Sequence, residues 1–538
     1  MILLNWECEQ MSLPDRRINL EEKRISLQSQ LDSAKAAAER NLLGQFATPS
    51  KLAREILAYA RDHIALSGPI RFLDPAIGTG SFYSALLEEF ESALIERAIG
   101  YEIDPHYGEP ARQLWADTPL EVRLADFTRA RPQDPSEKAT LLICNPPYVR
   151  HHHINPDDKK YLTAATFKAS GMRLSGLAGL YCHFLGLAHA WMAEGALAGW
   201  LIPSEFMDVN YGSEVKRYLL ERVTLTHIHR FDPDDAQFDD ALVSSAIVWL
   251  VNTPPHDDHE ITFSYGGTLA QPQFVGRVRR SVLATLRKWT RLPRFSVDHE
   301  HSDDGTRLGC HFTIRRGIAS GSNEFFILTP GQIAAHDLPW EFFRPILPSP
   351  RYLYDNEVMA DARGWPVLDE QLFLLDCRLP EAEVREHYPT LWRYLQRGVE
   401  SGVSTTYLAR HRSPWYAQEH RPAAPIVCTY MGRNGTRHGR PIRFILNHSQ
   451  ATAANGYLML YPKPPLATLA RDDPSLLRRI WEELNTIEVE RLLTEGRVYG
   501  GGLYKLEPRE LANVNLSVLD ELTRSLRRRW YQTSLVYG

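Results

Sequence analysis

The sequence has few cysteines, no long apolar run and no excess of positive charge. Its six cysteines stand singly among 538 residues without a CxxC pair, a pattern that excludes a disulfide framework and favours a reducing compartment. The most apolar stretch, residues 177–198, is interrupted by His183, His189 and Glu194, so we expect no membrane span. The formal net charge of −5 means that nucleic-acid binding would need a local basic surface, because the chain as a whole is not basic.

The N-terminal sequence and a histidine triplet exclude two further classes. The first ten residues lack the basic and small-residue signatures of a secretory signal, so we expect a cytoplasmic protein. His151, His152 and His153 are adjacent, and adjacent histidines do not easily converge on one ion. We therefore interpret the triplet as a polar loop and predict no metal site.

The pattern along the chain predicts an α/β protein of at least two domains. Residues 1–40 are interpreted as a polar helical extension. From Ile70 onward, strands alternate with helices, which is typical of a mostly parallel, Rossmann-like sheet covered on both faces. The predicted strands lie at 70–73, 98–101, 122–124, 139–144, 198–202 and 244–250. The polar, proline-containing segment 251–259 marks a boundary, so we predict a first large domain over 41–255 and a mixed α+β domain over 256–538.

A glycine-rich turn follows the first predicted strand. Asp74 ends this strand, and Gly78 and Gly80 lie in the turn before a helix that begins at Ser81. Ligands of open α/β sheets bind at such turns, where a missing Cβ lets the backbone approach closely. A GxG turn alone is also compatible with a plain strand-to-helix connection, so it does not define a ligand by itself.

Two further acids follow the next two predicted strands. Glu102 ends the second strand and suits a bidentate grip on ribose hydroxyls, and Asp126 follows the third and suits the amino group of an adenine. Phe127 is placed to stack on that ring. The third glycine of a dinucleotide fingerprint is missing after Gly80. The combination favours S-adenosylmethionine over a nicotinamide cofactor.

The tetrapeptide Asn145-Pro146-Pro147-Tyr148 directly follows a fully apolar strand. Prolines remove backbone donors and stiffen the loop, which leaves acceptor oxygens at fixed positions. The Asn145 side chain and the Pro146 carbonyl can accept the two hydrogens of an amino group whose lone pair is delocalised into a ring. Methyl transfer would then depend on positioning and electrostatics. Tyr148 offers a flat face for a target base.

The order of these segments resembles the gamma class of N6-adenine DNA methyltransferases, the TaqI-type modification enzymes in particular. The resemblance covers roughly residues 44–250 and extends through Gly179-Leu180-Tyr181. Gly179 departs from the family, where Asn or Asp is common, so no polar contact is expected there. In order, the matching segments are Thr48-Pro49, Asp74–Gly80, Glu102–Asp104, Ala125–Phe127 and Asn145–Tyr148.

The resemblance implies a site-specific enzyme that transfers methyl from S-adenosylmethionine to the amino group of an adenine flipped out of duplex DNA. It implies a class I methyltransferase domain followed by a target-recognition domain, in a bacterial restriction–modification system that can include a cognate endonuclease. A phenylalanine at the position of Phe238 packs on the flipped base in this family. The implied catalytic residues are Asn145, Pro146, Tyr148 and Phe238, and the implied cofactor residues are Thr48, Asp74, Ala76, Gly78, Gly80, Glu102, Asp126 and Phe127.

The second half contains a segment rich in arginine and aromatic residues. Residues 401–445 hold seven arginines against one acid, Glu419, with tyrosines and a tryptophan interleaved. Arginine grips phosphates and reads guanine edges, and aromatic rings pack on sugars and bases; a solvated basic surface is the alternative. With two glycine-rich turns at 315–321 and 499–505, this segment gives the predicted nucleic-acid contacts Arg316, Arg410, Arg412, Trp415, Tyr416, Arg433 and Lys505.

Two other functions remain open at this point. The Asn-Pro-Pro-Tyr loop also occurs in methyltransferases that modify a glutamine amide or a base of RNA, although the large second half argues against these smaller proteins. A DNA-binding protein with a degenerate methyltransferase fold is the non-enzymatic alternative. The intact loop and all three acids argue against it.

Overall fold

A computed structural model provides the structure of the chain, which divides into two compact units. The described residues are 13–64, 68–232, 244–256, 258–286, 288–290, 292, 307–433, 440–464, 466–489, 492, 495–499 and 503–516. The first unit comprises residues 1–297 and 499–501, and the second comprises residues 298–498 and 502–538. No helix among these described residues is long and apolar enough to cross a membrane.

One large sheet with helices on both faces forms the first unit. Its strands are β1 (Ile70–Asp74), β2 (Ile95–Glu102), β3 (Leu120–Leu124), β4 (Ala139–Cys144), β5 (Met192–Pro203), β6 (Thr224–Arg230), β7 (Ser245–Val251), β8 (Glu260–Gly267) and β9 (Pro272–Arg279). Its described helices are α1 (Leu13–Ser33), α2 (Ala37–Leu43), α3 (Ser50–His63), α4 (Ser81–Glu89), α5 (Pro105–Leu114), α6 (Pro156–Ser170), α7 (Leu180–Ala188), α8 (Gly212–Glu221) and α9 (Arg280–Thr285).

The strand order is β3-β2-β1-β4-β5-β7-β6-β8-β9. Strands β1 to β5 run parallel to one another, and β7 lies antiparallel between β5 and β6. The predicted mostly parallel sheet is therefore confirmed. Because β1 to β4 are parallel, their carboxyl ends meet at one edge of the sheet, where ligands of such folds bind.

The core lies on both faces of the sheet, as β4 shows. Its fully apolar sequence alternates between two hydrophobic clusters. Leu141 and Ile143 pack with side chains of α3 and α4, and Leu142 and Cys144 pack with side chains of α6, α7 and α8. All four are at most 1% exposed. Truncating such a side chain to alanine typically costs about 2–5 kcal/mol, so the site edge rests on a rigid base.

The sheet continues past the boundary predicted near residue 255. Strand β8 pairs parallel with β6, and β9 pairs antiparallel with β8, so both belong to the first unit. The division falls after residue 297 instead. The strands β6, β8 and β9 were absent from the sequence prediction, because polar residues and histidines interrupt their apolar alternation.

The N-terminal helix packs against the first unit. Buried Arg24 of α1 donates to Thr79 Oγ1 at 3.3 Å and to Ser50 Oγ at 2.8 Å, and it pairs with Glu21 at 2.7 Å. His106 Nε2 lies 2.9 Å from the carbonyl oxygen of Leu31. The segment predicted as an extension is therefore an integrated part of this unit.

Smaller sheets with short helices form the second unit. Its strands are β10 (Phe312–Arg316), β11 (Ile327–Leu328), β12 (Phe343–Leu347), β13 (Glu357–Val358), β14 (Leu372–Leu375), β15 (Ile426–Thr429), β16 (Met431–Arg433), β17 (Phe444–Asn447), β18 (Thr452–Ala453), β19 (Tyr457–Pro462), β20 (Arg497–Tyr499) and β21 (Leu503–Lys505). They form sheets in the orders β10-β19-β15-β17-β13, β11-β14-β12-β18 and β16-β21-β20. The described helices are α10 (Leu308–His311), α11 (Asn323–Phe326), α12 (Pro330–Ala335), α13 (Glu381–His387), α14 (Pro389–Glu400), α15 (Tyr407–Arg410), α16 (Leu466–Asp472), α17 (Ser475–Thr486) and α18 (Pro508–Leu511).

Candidate active site

A cavity of about 890 Å³ opens at the carboxyl ends of β1 to β4. All of its lining residues belong to the first unit. Its volume lies within the range of ordinary ligand pockets, about 300–1,000 Å³. Of the predicted site residues, the cavity wall includes Ala76, Gly78, Glu102, Asp126, Phe127 and Asn145.

Asp74 lies behind the cavity wall. Its side chain is 1% exposed, and its carboxylate accepts a hydrogen bond from the Ala76 backbone N–H at 3.1 Å. Burial, with a smaller contribution from the negative charge of Glu102, raises the pKa of Asp74 to about 8. The residue therefore shapes the turn that lines the cavity and is neutral near pH 7.

Glu102 joins two segments of the wall. One carboxylate oxygen accepts from the Gly78 N–H at 3.0 Å, and the other accepts from the Asp104 N–H at 2.8 Å. Burial raises the pKa of Glu102. Each carboxylate oxygen has two lone pairs, so both oxygens retain an acceptor position for a ligand hydroxyl.

Asp126 and Phe127 follow β3. The Asp126 carboxylate accepts from the Thr128 N–H at 2.8 Å and from the Thr128 hydroxyl at 2.7 Å, which fixes its orientation. The Phe127 ring is only 2% exposed and packs against Tyr101, Phe184 and Trp191. Phe127 therefore forms wall and core together, and little of its ring is available to stack on a ligand.

The two glycines of the turn have different roles. Gly78 has a φ of +54° and open space where a Cβ would stand, so no side chain projects from this part of the cavity wall. Gly80 has a φ of +93°, and a Cβ there would lie 2.6 Å from the indole nitrogen of Trp115. The expectation that Gly80 lets the backbone approach a ligand is corrected, because the close neighbour is a core side chain.

The Asn145 side chain is held in one orientation. Its Nδ2 donates to the Phe46 carbonyl oxygen at 3.0 Å and to Thr48 Oγ1 at 3.1 Å. A carbonyl oxygen only accepts, so the NH2 group must face Phe46 and the amide oxygen must face away. That oxygen, Asn145 Oδ1, is buried and has no hydrogen-bond partner. Buried acceptors are rarely left unpaired, and this one belongs to a residue that lines the cavity.

The segment that holds Asn145 is packed onto the loop after β4. Gly44 has a φ of +66°, and its carbonyl oxygen accepts from the Tyr148 N–H at 3.2 Å. A Cβ on Gly44 would lie 2.4 Å from the Tyr148 backbone nitrogen, so only glycine fits here. Thr48, which the family resemblance places against the cofactor, has its hydroxyl on Asn145 and lies outside the cavity wall.

Tyr148 and Pro146 lie behind the cavity wall. The Tyr148 hydroxyl donates to the Leu201 carbonyl oxygen at 3.1 Å, and its ring centroid lies 5.8 Å from that of Phe46. Burial raises the pKa of Tyr148, so the phenol is neutral. Pro146 is buried. Phe238 lies outside the described residues, so the stacking roles of both aromatic residues stay predictions.

Sequence reasoning missed part of the wall. Ile103, directly after Glu102, lines the cavity and is 66% exposed, an unusual state for an isoleucine beside a pocket. Gln28 and Asp32 of α1 and Lys35, which follows this helix, also line it. An apolar residue directly after a strand-ending acid is a local pattern that could have indicated Ile103 as part of the wall. The α1 contacts join positions far apart in sequence, and no local pattern indicates them.

The predicted nucleic-acid residues of the second unit separate into two groups. Arg316, Arg410 and Arg433 are exposed. The guanidinium carbon of Arg316 and the ammonium of Lys505 both lie over the Tyr430 ring, at 4.1 and 5.2 Å from its centroid. The structure thus brings two of the predicted cations together.

The other three predicted residues, Arg412, Trp415 and Tyr416, make contacts within the second unit. Tyr416 is fully buried, and its hydroxyl donates to the Leu379 carbonyl oxygen at 2.6 Å. Arg412 donates to the carbonyl oxygens of Ser320 and Ala319, and the Trp415 ring packs against Tyr416. The prediction that Tyr416 contacts nucleic acid is wrong, because hydrophobic packing removes it from the surface.

The residues of the cavity fit S-adenosylmethionine. Two carboxylates with fixed orientations, Glu102 and Asp126, suit the ribose hydroxyls and the adenine amino group, and the apolar Ile103 suits the face of a purine. In the part of the chain that is described, no group of three or more histidine, cysteine, aspartate or glutamate side chains is placed to hold a metal ion.

The sheet order, the antiparallel β7 and the acids at the ends of the parallel strands define a class I S-adenosylmethionine-dependent methyltransferase fold. The solved structure of the Type IIL restriction-modification enzyme MmeI in complex with DNA has a similar fold, with a TM-score of 0.52 and 12% identity. The similarity covers 81% of this chain and 65% of that chain.

Sequence comparisons narrow the class to a family. Residues 117–238 match the Eco57I restriction-modification methylase family, and residues 294–536 match the C-terminal domain of the Type II methyltransferase M.Eco57I. The Type II methyltransferase M.XamI of Xanthomonas campestris pv. amaranthicola is 29% identical over 488 residues, which are 89% of this chain and 86% of that protein. M.AccI of Acinetobacter calcoaceticus is 25% identical over 507 residues, 90% of this chain and 87% of that protein. The chain is thus similar to Type II restriction–modification methyltransferases along most of its length.

Proposed function

We propose that this protein is a site-specific DNA methyltransferase that modifies the N6 amino group of adenine and serves as the modification enzyme of a restriction–modification system. The observation that carries the proposal is the buried, partnerless Asn145 Oδ1, held in place by Phe46 and Thr48 at the cavity. An acceptor fixed in this way suits an amino group as its target, because it needs a donor to complete its hydrogen bonding.

The chemistry follows from this acceptor. The nitrogen lone pair of an adenine amino group is delocalised into the ring, so the nitrogen is a weak nucleophile. Asn145 Oδ1 and the Pro146 carbonyl oxygen accept its two hydrogens and favour a tetrahedral nitrogen with its lone pair directed at the methyl donor. Positive charge develops on the nitrogen as the carbon–nitrogen bond forms and the methyl–sulfur bond of the donor breaks, with the bonding electron pair left on sulfur; these oxygens stabilise the charge. The methylated nitrogen then gives one proton to bulk water, which leaves a neutral secondary amine.

The cofactor site uses the chain's own fixed groups. S-adenosylmethionine, when bound, supplies an electrophilic methyl group on a sulfonium. Glu102 would hold the ribose of the cofactor, Asp126 its adenine amino group and Ile103 a face of its purine. Gly78, which has no Cβ, would let the backbone of the turn approach the cofactor closely. None of these residues needs to change protonation for the transfer, so their contribution is position and electrostatics.

Duplex DNA is the proposed substrate for two reasons. The chain is similar to the Type II methyltransferases M.XamI and M.AccI along most of their length, and MmeI is a restriction-modification enzyme whose structure was solved in complex with DNA. The second unit also exposes Arg316, Arg410 and Arg433, cations suited to phosphates and guanine edges. A base inside a duplex cannot reach an enclosed pocket, so the target adenine would be flipped out of the stack.

The test is methyl transfer to competing acceptors. Purified protein is incubated with methyl-labelled S-adenosylmethionine and, in parallel, with unmodified duplex DNA, ribosomal RNA and a cell protein extract. Digestion of the DNA to nucleosides is expected to give labelled N6-methyl-2′-deoxyadenosine. Label in the RNA or protein instead would replace the proposal with the base-of-RNA or glutamine-amide alternative. Label in no acceptor would contradict an active enzyme.

A further inference from the structure

A polar cluster links the N-terminal helix to two parts of the active site. The ammonium of Lys35, which follows α1, lies 2.6 Å from Asp104 Oδ2 and 2.9 Å from Gln45 Oε1. The amide of Gln45 donates to the same Asp104 oxygen at 2.8 Å. The side chains of Lys35 and Asp104 are only 10% and 17% exposed, so water screens this ion pair weakly.

The first arm of the cluster leads to the cofactor acid. Asp104 follows Glu102 by two residues, and its backbone N–H donates to Glu102 Oε1 at 2.8 Å. The other oxygen of Asp104 accepts from the His106 N–H at 3.0 Å and caps α5. Holding the Asp104 carboxylate therefore holds the turn that orients Glu102 towards the cavity.

The second arm leads to the acceptor amide. Gln45 directly precedes Phe46, whose carbonyl oxygen accepts from Asn145 Nδ2, and Thr48 of the same segment supplies the second acceptor. Gln45 also follows Gly44, which bonds to the loop after β4. Holding the Gln45 side chain therefore holds the segment that orients Asn145.

We propose that Lys35 is a positioning residue for methyl transfer, which with Asp104 and Gln45 fixes the separation between the cofactor acid Glu102 and the acceptor amide of Asn145. This inference rests on the proposed function, because it assigns these two groups to cofactor and target amino group. Transfer between two bound partners is sensitive to displacements of about 1 Å, so a link between their supports has a direct effect on rate.

Charge and hydrogen bonding support a preformed cluster. Burial alone would raise the pKa of Asp104, but the hydrogen bonds from Lys35, Gln45 and the His106 N–H, together with the charge of Lys35, hold this pKa below its ordinary value. Lys35 also lies 3.7 Å from Glu39 Oε1. The ion pair is therefore formed throughout the neutral pH range and does not depend on a ligand to assemble.

The test compares Lys35→Met with Lys23→Met, which changes an exposed lysine of the preceding helix α1. Calorimetry gives the Kd for S-adenosylmethionine without DNA, and single-turnover transfer to duplex DNA gives the rate. Loss of charge-assisted hydrogen bonds at a part-buried site predicts about tenfold or greater weakening of cofactor binding and a comparable fall in rate for Lys35→Met. Lys35→Arg is expected to restore part of both, and Lys23→Met to match the wild type.

A purely structural role would give a different pattern. The proposal is overturned if Lys35→Met only lowers the thermal midpoint while Kd and rate stay within about twofold of the wild type. If Lys35→Met does not fold, Gln45→Met replaces it, because that variant breaks the link to the Asn145 segment and leaves the Lys35–Asp104 ion pair. An unchanged rate in Gln45→Met then overturns the proposal. Calorimetric Kd values stand even if the methylated acceptor is not adenine in DNA, so failure of the proposed function is recognised separately.

Discussion

Thr48→Val tests whether the orientation of one amide controls the rate of methyl transfer. Valine has nearly the shape of threonine but no hydroxyl, so it removes the acceptor that lies 3.1 Å from Asn145 Nδ2 and leaves the Phe46 carbonyl oxygen at 3.0 Å. One hydrogen of the Asn145 amide is then buried without a partner. The Phe46 carbonyl oxygen alone then holds the amide, so the orientation that directs Asn145 Oδ1 at the target amino group is less strongly favoured.

The magnitude follows from the cost of an unpaired buried donor, about 1–3 kcal/mol. If this energy is lost from the productive orientation, the single-turnover rate of methyl transfer falls about 5- to 150-fold. Thr48→Ser keeps the hydroxyl and is expected to retain most of the rate. The assay is transfer of labelled methyl to duplex DNA at saturating cofactor, with the cofactor Kd measured in parallel by calorimetry.

Thr166→Val is the matched control, because Thr166 is also buried in the first unit and lies 2.9 Å from His183 Nδ1. It is expected to lower stability without changing the rate. A wild-type rate in Thr48→Val would refute the orientation argument. A weaker cofactor Kd with an unchanged rate would refute it too, and would assign Thr48 to the cofactor, as the family resemblance implies.

Three further predictions concern pH, cofactor and DNA. In Asp74, burial raises the folded-state pKa to about 8, whereas the pKa in the unfolded chain is about 4. The native state therefore holds an extra proton between about pH 4 and 8. The stability of the wild type relative to Asp74→Asn consequently falls as pH rises through this window, by at most about 1.4 kcal/mol per pH unit. Urea unfolding of both proteins at pH 5 and 8 measures this difference, and a pH-independent difference would contradict the prediction. Glu102→Gln removes a charged acceptor and is expected to weaken S-adenosylmethionine about tenfold in calorimetry, with DNA affinity unchanged. Tyr416→Phe is expected to lower the thermal midpoint without affecting DNA affinity, whereas Arg433→Ala is expected to weaken duplex binding in a salt-dependent way in fluorescence anisotropy; the reverse pattern would contradict the burial of Tyr416.

The acids at the ends of the parallel strands could be predicted from the sequence because their signals are local. An acid that ends an apolar strand is a short pattern, and parallel pairing of β1, β2 and β3 then brings Asp74, Glu102 and Asp126 to one edge. The Asn145 loop was readable for the same reason. The hydrogen bond between Thr48 and Asn145 was not predicted. The resemblance pointed to Thr48 as a cofactor contact, and no local pattern indicates a bond between the two side chains.

Contacts between distant positions could not be read from the sequence. Lys35 and Asp104 are far apart along the chain, and α1 has the polar composition of a solvated helix. Tyr416 stands in a segment rich in arginine, which indicates a surface, yet its ring is fully buried. Only the tertiary fold determines which residues of such a segment point inward.

The sequence prediction also missed strands that carry polar residues at core positions. In β6, His227 and His229 are buried and both lie within 2.8 Å of the Ser264 hydroxyl of β8. Burial lowers the pKa of His227 to about 3 and that of His229 to about 4, so both rings are neutral inside the sheet. Histidine and serine at core positions interrupt the apolar alternation by which strands are recognised, and the domain boundary was consequently predicted too early.

The most direct test of the central claim is base-resolved sequencing of modified DNA from a host that lacks other DNA methyltransferases. Cells that express the wild type are expected to carry N6-methyladenine at every copy of one defined sequence, and cells that express Asn145→Ala to carry none, although that variant still binds S-adenosylmethionine. Methylation of cytosine, modification scattered without a common sequence, or full methylation by Asn145→Ala would contradict the account.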